Sequence, residues 1–254
     1  MTGERENQLI EAADLLLDAR RTGEPIEDLP EALQPKDLDE AYALQDRIAE
    51  AYGEIGGWKI GAPTAEATPL FAPMPLAWIA RDGAVIGGMR RYRGLEAEIA
   101  FLMGADLPSR ATPYSSEEVA SAIASCHPAI EVIESGLLDP LKAAKLSMIG
   151  DLQMHGGFVY GPAVADWQKI DFKTEHVFIA VDDAVRVERT GSNTSGDLMR
   201  LLPWLANEGS KRTGGLKAGQ WVTTGSWTGV TTADPRSSAN VKFSAAGEVH
   251  LRFA

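Results

Sequence analysis

The sequence predicts an α+β protein rich in β-structure. Three observations predict it: a helical period confined to the first 55 residues, a succession of short apolar runs punctuated by glycine and proline after residue 56, and only two later stretches with helical spacing. Residues 4–21 place Leu9, Ile10, Ala13, Leu16 and Leu17 on the stripe an amphipathic helix buries. Gly23, Pro25, Pro30 and Pro35 then break the pattern. A second helix is predicted from Asp37 to Tyr52, because Asp37 and Glu40 form a cap-and-N3 pair and Leu38, Ala41, Leu44, Ile48 and Tyr52 keep helical spacing up to Gly53. Strands are predicted at 84–86, 95–103, 129–133, 158–160, 177–181, 185–188, 221–224, 241–243 and 249–253, with Asp182-Asp183 as a tight hairpin turn. The two later helices are expected from Ser115 to about Cys126, opened by a Ser115/Glu118 capping box, and over 197–208. Pro203 must either kink the latter or mark its true start. The chain therefore divides into a helical N-terminal region, 1–55, and a β domain, 56–254.

Composition narrows the function classes. The 254 residues carry 24 Lys+Arg against 36 Asp+Glu, a net charge of −12. Nucleic-acid binding is driven by clustered cations that release counterions, so nucleic acid is excluded as the main partner. With 44% hydrophobic residues the chain can bury a core, and its length suits one large domain with an accessory region. The single cysteine, Cys126, can form neither an intramolecular disulfide nor a structural zinc cluster, and reads as buried filler rather than a nucleophile. The polar N-terminus and the absence of a run of about 18 apolar residues give the expectation of a cytoplasmic protein with no membrane partner.

The most informative segment is Gly94-Leu95-Glu96-Ala97-Glu98-Ile99-Ala100-Phe101. On a strand, Glu96 and Glu98 share one face, about 7 Å apart along the pleat. In Pro128-Ala129-Ile130-Glu131-Val132-Ile133, a third glutamate interrupts an otherwise apolar strand and is expected to be partly buried. At about 5 Å separation and an effective dielectric of about 20, each carboxylate pair repels by roughly 3 kcal/mol. Three such pairs would cost on the order of 10 kcal/mol, comparable with the whole stability of a domain. A divalent cation removes the repulsion, and oxygen ligands select a hard ion such as Mg2+, Mn2+ or Ca2+ over zinc. Spacing alone leaves the alternatives open: an E-x-E strand also describes a solvated outer face, and Glu131 taken singly fits a surface strand or a salt bridge.

In order along most of the chain, Ala41-Tyr42-Ala43-Leu44-Gln45, Gly57-Trp58-Lys59-Ile60-Gly61, the two glutamate segments, Trp204-Leu205-Ala206, Leu216-Lys217-Ala218-Gly219 and Val222-Thr223-Thr224-Gly225-Ser226 resemble the fumarylacetoacetate hydrolase superfamily. The likeness is closest to its branch of 2-oxopent-4-enoate hydratases and 4-oxalocrotonate decarboxylases. The resemblance implies a mixed, barrel-like β-sheet roll and a homo-oligomer. It also implies one Mg2+ or Mn2+ held by Glu96, Glu98 and Glu131, with Lys59 projecting into the same pocket. A 2-oxo acid chelates such an ion through its carboxylate and C2 oxygen, so the implied substrate is a small 2-oxo or 2-hydroxydienoic acid. Lys59 offsets the charge left by three glutamates and one dication; outside the motif it would read as an exposed strand-edge lysine. Thr224, Gly225 and Ser226 are candidate binders of the substrate carboxylate, although the same residues also describe an ordinary strand end. Trp58, beside Lys59, is a candidate pocket wall, with core packing as its alternative.

Three segments depart from the family pattern. The stretch Ala62–Pro75 reads as a short, Pro-rich loop with Glu66 its only acid; a segment usually Asp-Asn-Ala-Ser is Asp151-Leu152-Gln153-Met154-His155; and the turn before the last helix is Gly196-Asp197-Leu198. His155 is a candidate acid or base near neutral pH, or else a loop histidine bonded to backbone. The expected reaction is hydration of a 2-keto-4-pentenoate-type substrate by a metal-dependent lyase. Decarboxylation of a 4-oxalocrotonate-type acid, acylpyruvate C–C hydrolysis using His155 and Glu66, and a non-catalytic family member are the alternatives.

Overall fold

The computed structural model describes residues 3–88 and 91–254. Helices α1 (Gly3–Thr22) and α2 (Leu38–Glu50) pack together at the N-terminus. Their apolar stripes meet Leu137 and Leu152 in a common cluster around Leu16, Leu44 and Ile48. The Asp37 carboxylate caps α2 by accepting from the Glu40 N–H, but the Glu40 side chain does not complete a capping box. It turns instead to Arg5 of α1, which grips both its oxygens at 2.9 and 2.6 Å. The same carboxylate also accepts the Lys36 N–H at 2.7 Å, so its backbone partner is the residue before the cap and not the Asp37 N–H.

Strands β1 (Ile55–Gly61), β2 (Leu70–Pro75), β3 (Ile79–Arg81), β4 (Ala84–Ile86), β5 (Gly94–Met103), β6 (Leu107–Pro108), β7 (Ile123–Ile133) and β8 (His155–Tyr160) follow. After them come β9 (His176–Val181), β10 (Ala184–Thr190), β11 (Gly215–Leu216), β12 (Trp221–Thr223), β13 (Thr231–Thr232), β14 (Ser238–Phe243) and β15 (Gly247–Phe253). The larger sheet runs β2-β1-β12-β5-β7-β8-β3, with β13 also on β5. Its two outermost strands, β2 and β3, are consecutive in the chain and separated only by Leu76–Trp78. The sheet must therefore curl on itself, and a Cβ placed on Gly56 of β1 would lie 2.6 Å from the Ile79 side chain of β3. Only glycine tolerates that approach. The result is an open roll, not a closed barrel.

Strand alternation sorts the roll's residues by face. Leu95, Ala97, Ile99, Phe101 and Met103 point outward into the main core, where Val177, Ile179, Val241, Val249 and Phe253 of the second sheet, β10-β9-β14-β15-β4, cover them. Glu96, Glu98 and Ala100 lie on the other face with Glu131 and Ala129 of β7. Met74, Ala100, Ala129, Phe158 and Trp221 fill that interior beyond the glutamates. No described helix is long and apolar enough to cross a membrane.

Several elements depart from the pattern expected. Strands β1, β2 and β3 form before residue 84, where no strand was assigned, and β2 occupies the second half of the expected 62–75 loop. Proline and glycine there disguise strand segments: Pro73 and Pro75 sit in an edge strand, where a missing N–H is tolerated. The helix opened by the Ser115/Glu118 capping box forms, but ends at Ser121 rather than Cys126. Residues 123–133 pair with the full length of β5 instead, a non-local ladder that overrides local helical spacing. A short helix over Lys145–Gly150 was not foreseen. Over 198–213 the chain runs through tight, regular and wide helical turns, and Pro203 sits in the first regular turn, Leu201–Trp204, as a start marker. The Asp182-Asp183 hairpin is as expected, both residues being left-handed with φ of 48° and 63°.

Candidate metal centre

Antiparallel pairing sets Glu96 of β5 directly opposite Glu131 of β7, and Glu98 follows two residues along the same face. Ligand-capable oxygens of the three all lie within 4.8 Å of one another. Glu131 and Glu98 are buried and Glu96 is half-buried. The outer-face alternative for the pair and the surface-strand alternative for Glu131 are thus set aside by burial, whereas the salt-bridge alternative for Glu131 is met, by Lys59.

Cations and N–H groups surround the cluster unevenly. The Lys59 ammonium, brought in by the parallel pairing of β1 with β12, lies 2.7 Å from Glu131 Oε1 and donates to the Gln153 carbonyl at 3.0 Å. His155 Nδ1 lies 2.8 Å from the same Glu131 oxygen. Glu131 Oε2 is buried with no hydrogen-bond partner. On Glu98, one oxygen accepts from the Thr223 hydroxyl and from the Gly225 N–H at 3.0 Å. Ser226 hydrogen-bonds Glu96.

The electrostatics follow from these contacts. Burial penalises the Glu131 carboxylate, but Lys59 and His155 together outweigh it and hold its pKa at about 2. Glu96 receives less compensation: burial and the Glu131 charge push it up to about 7. Burial, Glu131 and Glu96 hold Glu98 well above the usual carboxylate range. Burial pulls Lys59 down, but the three glutamates more than reverse this and raise it. Burial lowers His155 and outweighs the carboxylate it faces, so the ring is neutral, donates Nδ1–H to Glu131 and leaves a lone pair on Nε2. Nε2 is buried and unpartnered.

The residues singled out in the sequence fall into two groups. Glu96, Glu98, Glu131, Lys59 and His155 converge. Trp58 does not share their face: alternation turns it away from Lys59 and into the main core, edge-on to Phe71 with ring centroids 5.9 Å apart. The 224–226 turn is near the cluster but its groups are largely engaged. The Thr224 hydroxyl donates to the Ile99 carbonyl at 2.7 Å, the Gly225 N–H serves Glu98, and the Ser226 hydroxyl accepts from the Thr228 and Gly229 N–H groups. Thr223 and Gln153 were missed. Thr223 shares the glutamate face because β12 pairs it with Ala100; the signal is strand parity, legible only once the register is known. A cleft of about 540 Å3 lies over Arg20, Tyr52, Trp78 and Glu134; none of the five converging residues lines it, and its Trp78 ring lies 5.8 Å from that of His155.

No family model matches the chain. It is 26% identical to 2-keto-4-pentenoate hydratase 2 of Dechloromonas aromatica (strain RCB) over 259 residues, covering 96% of each chain. It is 23% identical to 2-keto-4-pentenoate hydratase of Paraburkholderia xenovorans (strain LB400), covering 96% of this chain and 94% of the other. Its fold matches that of 4-oxalocrotonate decarboxylase from Pseudomonas putida G7, solved with magnesium and adipate, with a TM-score of 0.84 at 23% identity over 98% of both chains. The open roll with its helical N-terminal region thus has the fold of that decarboxylase, and over 78% of the chain it also matches a putative fumarylpyruvate hydrolase from Burkholderia cenocepacia with a TM-score of 0.61.

Proposed function

We propose that this chain is a divalent-metal-dependent hydro-lyase that hydrates a small 2-oxo or 2-hydroxydienoic acid of the 2-keto-4-pentenoate type. The observation that carries the reading is the buried carboxylate triad with an orphaned Glu131 Oε2 beside Lys59. An acceptor with no partner in a dry site is costly unless something cationic occupies its lone pairs. Glu96, Glu98 and Glu131 would hold Mg2+ or Mn2+, which when bound supplies charge stabilisation for a substrate oxygen turning into an enolate.

The protein's own groups complete the chemistry. Lys59, fixed between Glu131 and the Gln153 carbonyl, places a fully charged ammonium where substrate carboxylate or enolate charge must be balanced. His155 is the group suited to proton transfer, since its neutral ring has a free lone pair on Nε2 and a carboxylate behind Nδ1 to stabilise the protonated form. Thr223, Gly225 and Ser226 orient Glu98 and Glu96. Thr224 and Trp58 act through packing in this reading rather than by touching substrate. A homo-oligomer in the cytoplasm, built of a helical region over 1–55 and a catalytic β domain over 56–254, belongs to the same proposal.

Decarboxylation of a 4-oxalocrotonate-type acid is the second reading, favoured by the end-to-end fold match to that decarboxylase; it uses the same charge balance without a positioned water. The C–C hydrolase alternative loses its acid/base pair, because Glu66 is exposed while His155 is buried against Glu131. Turnover of 2-hydroxypentadienoate and of 4-oxalocrotonate with added Mg2+ or Mn2+ tests the assignment. Loss of dienol absorbance with water incorporated and no CO2 is the expected result. CO2 release from the second substrate supports decarboxylation, and metal binding without turnover of either overturns both.

A further inference from the structure

Leu152, Gln153 and Met154 are three consecutive non-glycine residues in the left-handed region, with φ of 50°, 53° and 65°. Side chains disfavour that conformation at every such residue, so the turn persists only where its surroundings enforce it. It is also the turn on which the site depends. The Gln153 carbonyl, aimed by this conformation, accepts from Lys59, and His155, the next residue after Met154, faces Glu131.

One side chain grips both ends of it. Arg20, the last buried residue of α1, donates from Nε to Asp151 Oδ1 at 2.5 Å, from Nη2 to the Asp151 carbonyl at 3.0 Å and from Nη1 to the His155 carbonyl at 3.0 Å. Nη2 also reaches the Glu134 carbonyl at 3.1 Å. The second oxygen of Asp151 is anchored in turn by the Ser135 hydroxyl at 2.5 Å and the Gly136 N–H at 2.9 Å. Arg20 and Asp151 side chains are only 4% and 0% exposed, so the pair is dry and its geometry rigid. A planar guanidinium presents donors in a fixed fork, which a lysine ammonium cannot reproduce.

We propose that Arg20 is a positioning residue for the metal centre: it clamps the strained 152–154 turn at Asp151 and His155, and so sets Lys59 and His155 against Glu131. The N-terminal helix would then be part of the site's machinery rather than a lid over it. The inference rests on the proposed metal-dependent function, but one arm of its test does not require the substrate to be right.

The experiment measures Mn2+ affinity by calorimetry on the full chain without substrate, and kcat and KM on 2-hydroxypentadienoate, for Arg20→Lys, Met154→Gly and the double variant. Arg20→Lys is expected to weaken Mn2+ binding about 10-fold and to lower kcat about 10–100-fold with little change in KM, as loss of a group orienting a ligand does. Glycine adopts the left-handed region without penalty. Met154→Gly is therefore expected to restore Mn2+ affinity in the Arg20→Lys background to within about threefold of the parent, a rescue that a general loss of stability at Arg20 would not produce in affinity per folded molecule. Should Arg20→Lys fail to fold, Met154→Val strains the same turn with Arg20 in place, and weaker Mn2+ binding is again expected. Unchanged Mn2+ affinity in Arg20→Lys, or in Met154→Val where Arg20→Lys does not fold, or loss without rescue by glycine, overturns the proposal. A wild-type chain that binds Mn2+ but turns over neither substrate overturns the functional reading alone, because the affinity arm still reports on the clamp.

Discussion

Without metal, the protein is expected to lose stability as pH rises from about 5 to about 8, and Glu96 is the group through which this is measured. In the fold it titrates at about 7 against an ordinary 4.5. The difference of about 2.5 units corresponds to about 3 kcal/mol. Because the folded value is raised, the contribution is fully present below pH 4.5 and is lost as pH climbs through 7. Glu98 adds to the loss with the same sign. Glu131 has the opposite sign, but its window lies between 4.5 and about 2, outside this range. His155, lowered by burial, also runs the other way as pH rises toward 6.5, so wild type must be compared with Glu96→Gln, which removes the Glu96 slope and the part of the Glu98 slope that the Glu96 charge causes while leaving that of His155. Denaturant or thermal unfolding in EDTA should show wild type losing about 3 kcal/mol, or about 6–12 °C in Tm, relative to Glu96→Gln across that interval. Saturating Mn2+ should abolish the loss and stabilise more strongly at the higher pH, since carboxylates bind the ion only as anions. Parallel pH profiles for the two proteins without metal would refute the claim that crowded carboxylates are the origin of the strain.

Three further outcomes are expected. Glu98→Gln should fold yet bind Mn2+ at least about 100-fold more weakly, a loss of about 3 kcal/mol read by calorimetry; an unchanged affinity would contradict its role as a ligand. Lys59→Met should lower kcat/KM by about 100–1,000-fold, because a fixed charge is taken from the reacting centre. Its Mn2+ affinity should equal or exceed that of wild type, a competing cation having left Glu131, and weaker binding would speak against the arrangement. Cys126, buried with its thiol pushed up to about 12, should resist thiol reagents in native buffer and react only on unfolding.

The site was legible to the extent that its chemistry is local in the chain. Two glutamates at i and i+2 share a strand face in any sheet, and a glutamate inside Pro-Ala-Ile-Glu-Val-Ile must be explained wherever that strand packs. That is why Glu96, Glu98 and Glu131 could be proposed before any fold was known. Trp58 misled because adjacency along the chain is not adjacency on a strand: the residue next to Lys59 faces the other way. Arg20 carried a signal that went unread, since it continues the buried stripe of Leu9, Ala13 and Leu16 at helical spacing, and a cation on such a stripe demands a partner. Its partner, Asp151, lies 131 residues away, which no local pattern encodes.

By itself, the sequence determined the fold class, the periodicities of its helices and most of its strands, and a charge problem that a hard dication would relieve. Tertiary structure alone decided that β1, β2 and β3 exist despite their prolines and glycines, that 123–126 pairs with β5 instead of finishing a helix, and that Thr223 and the 152–154 turn serve the site. The physical reason is the same in each case. Side-chain period and backbone propensity act over a few residues, whereas strand register, burial and the reach of a guanidinium are set by which distant segments the core brings together.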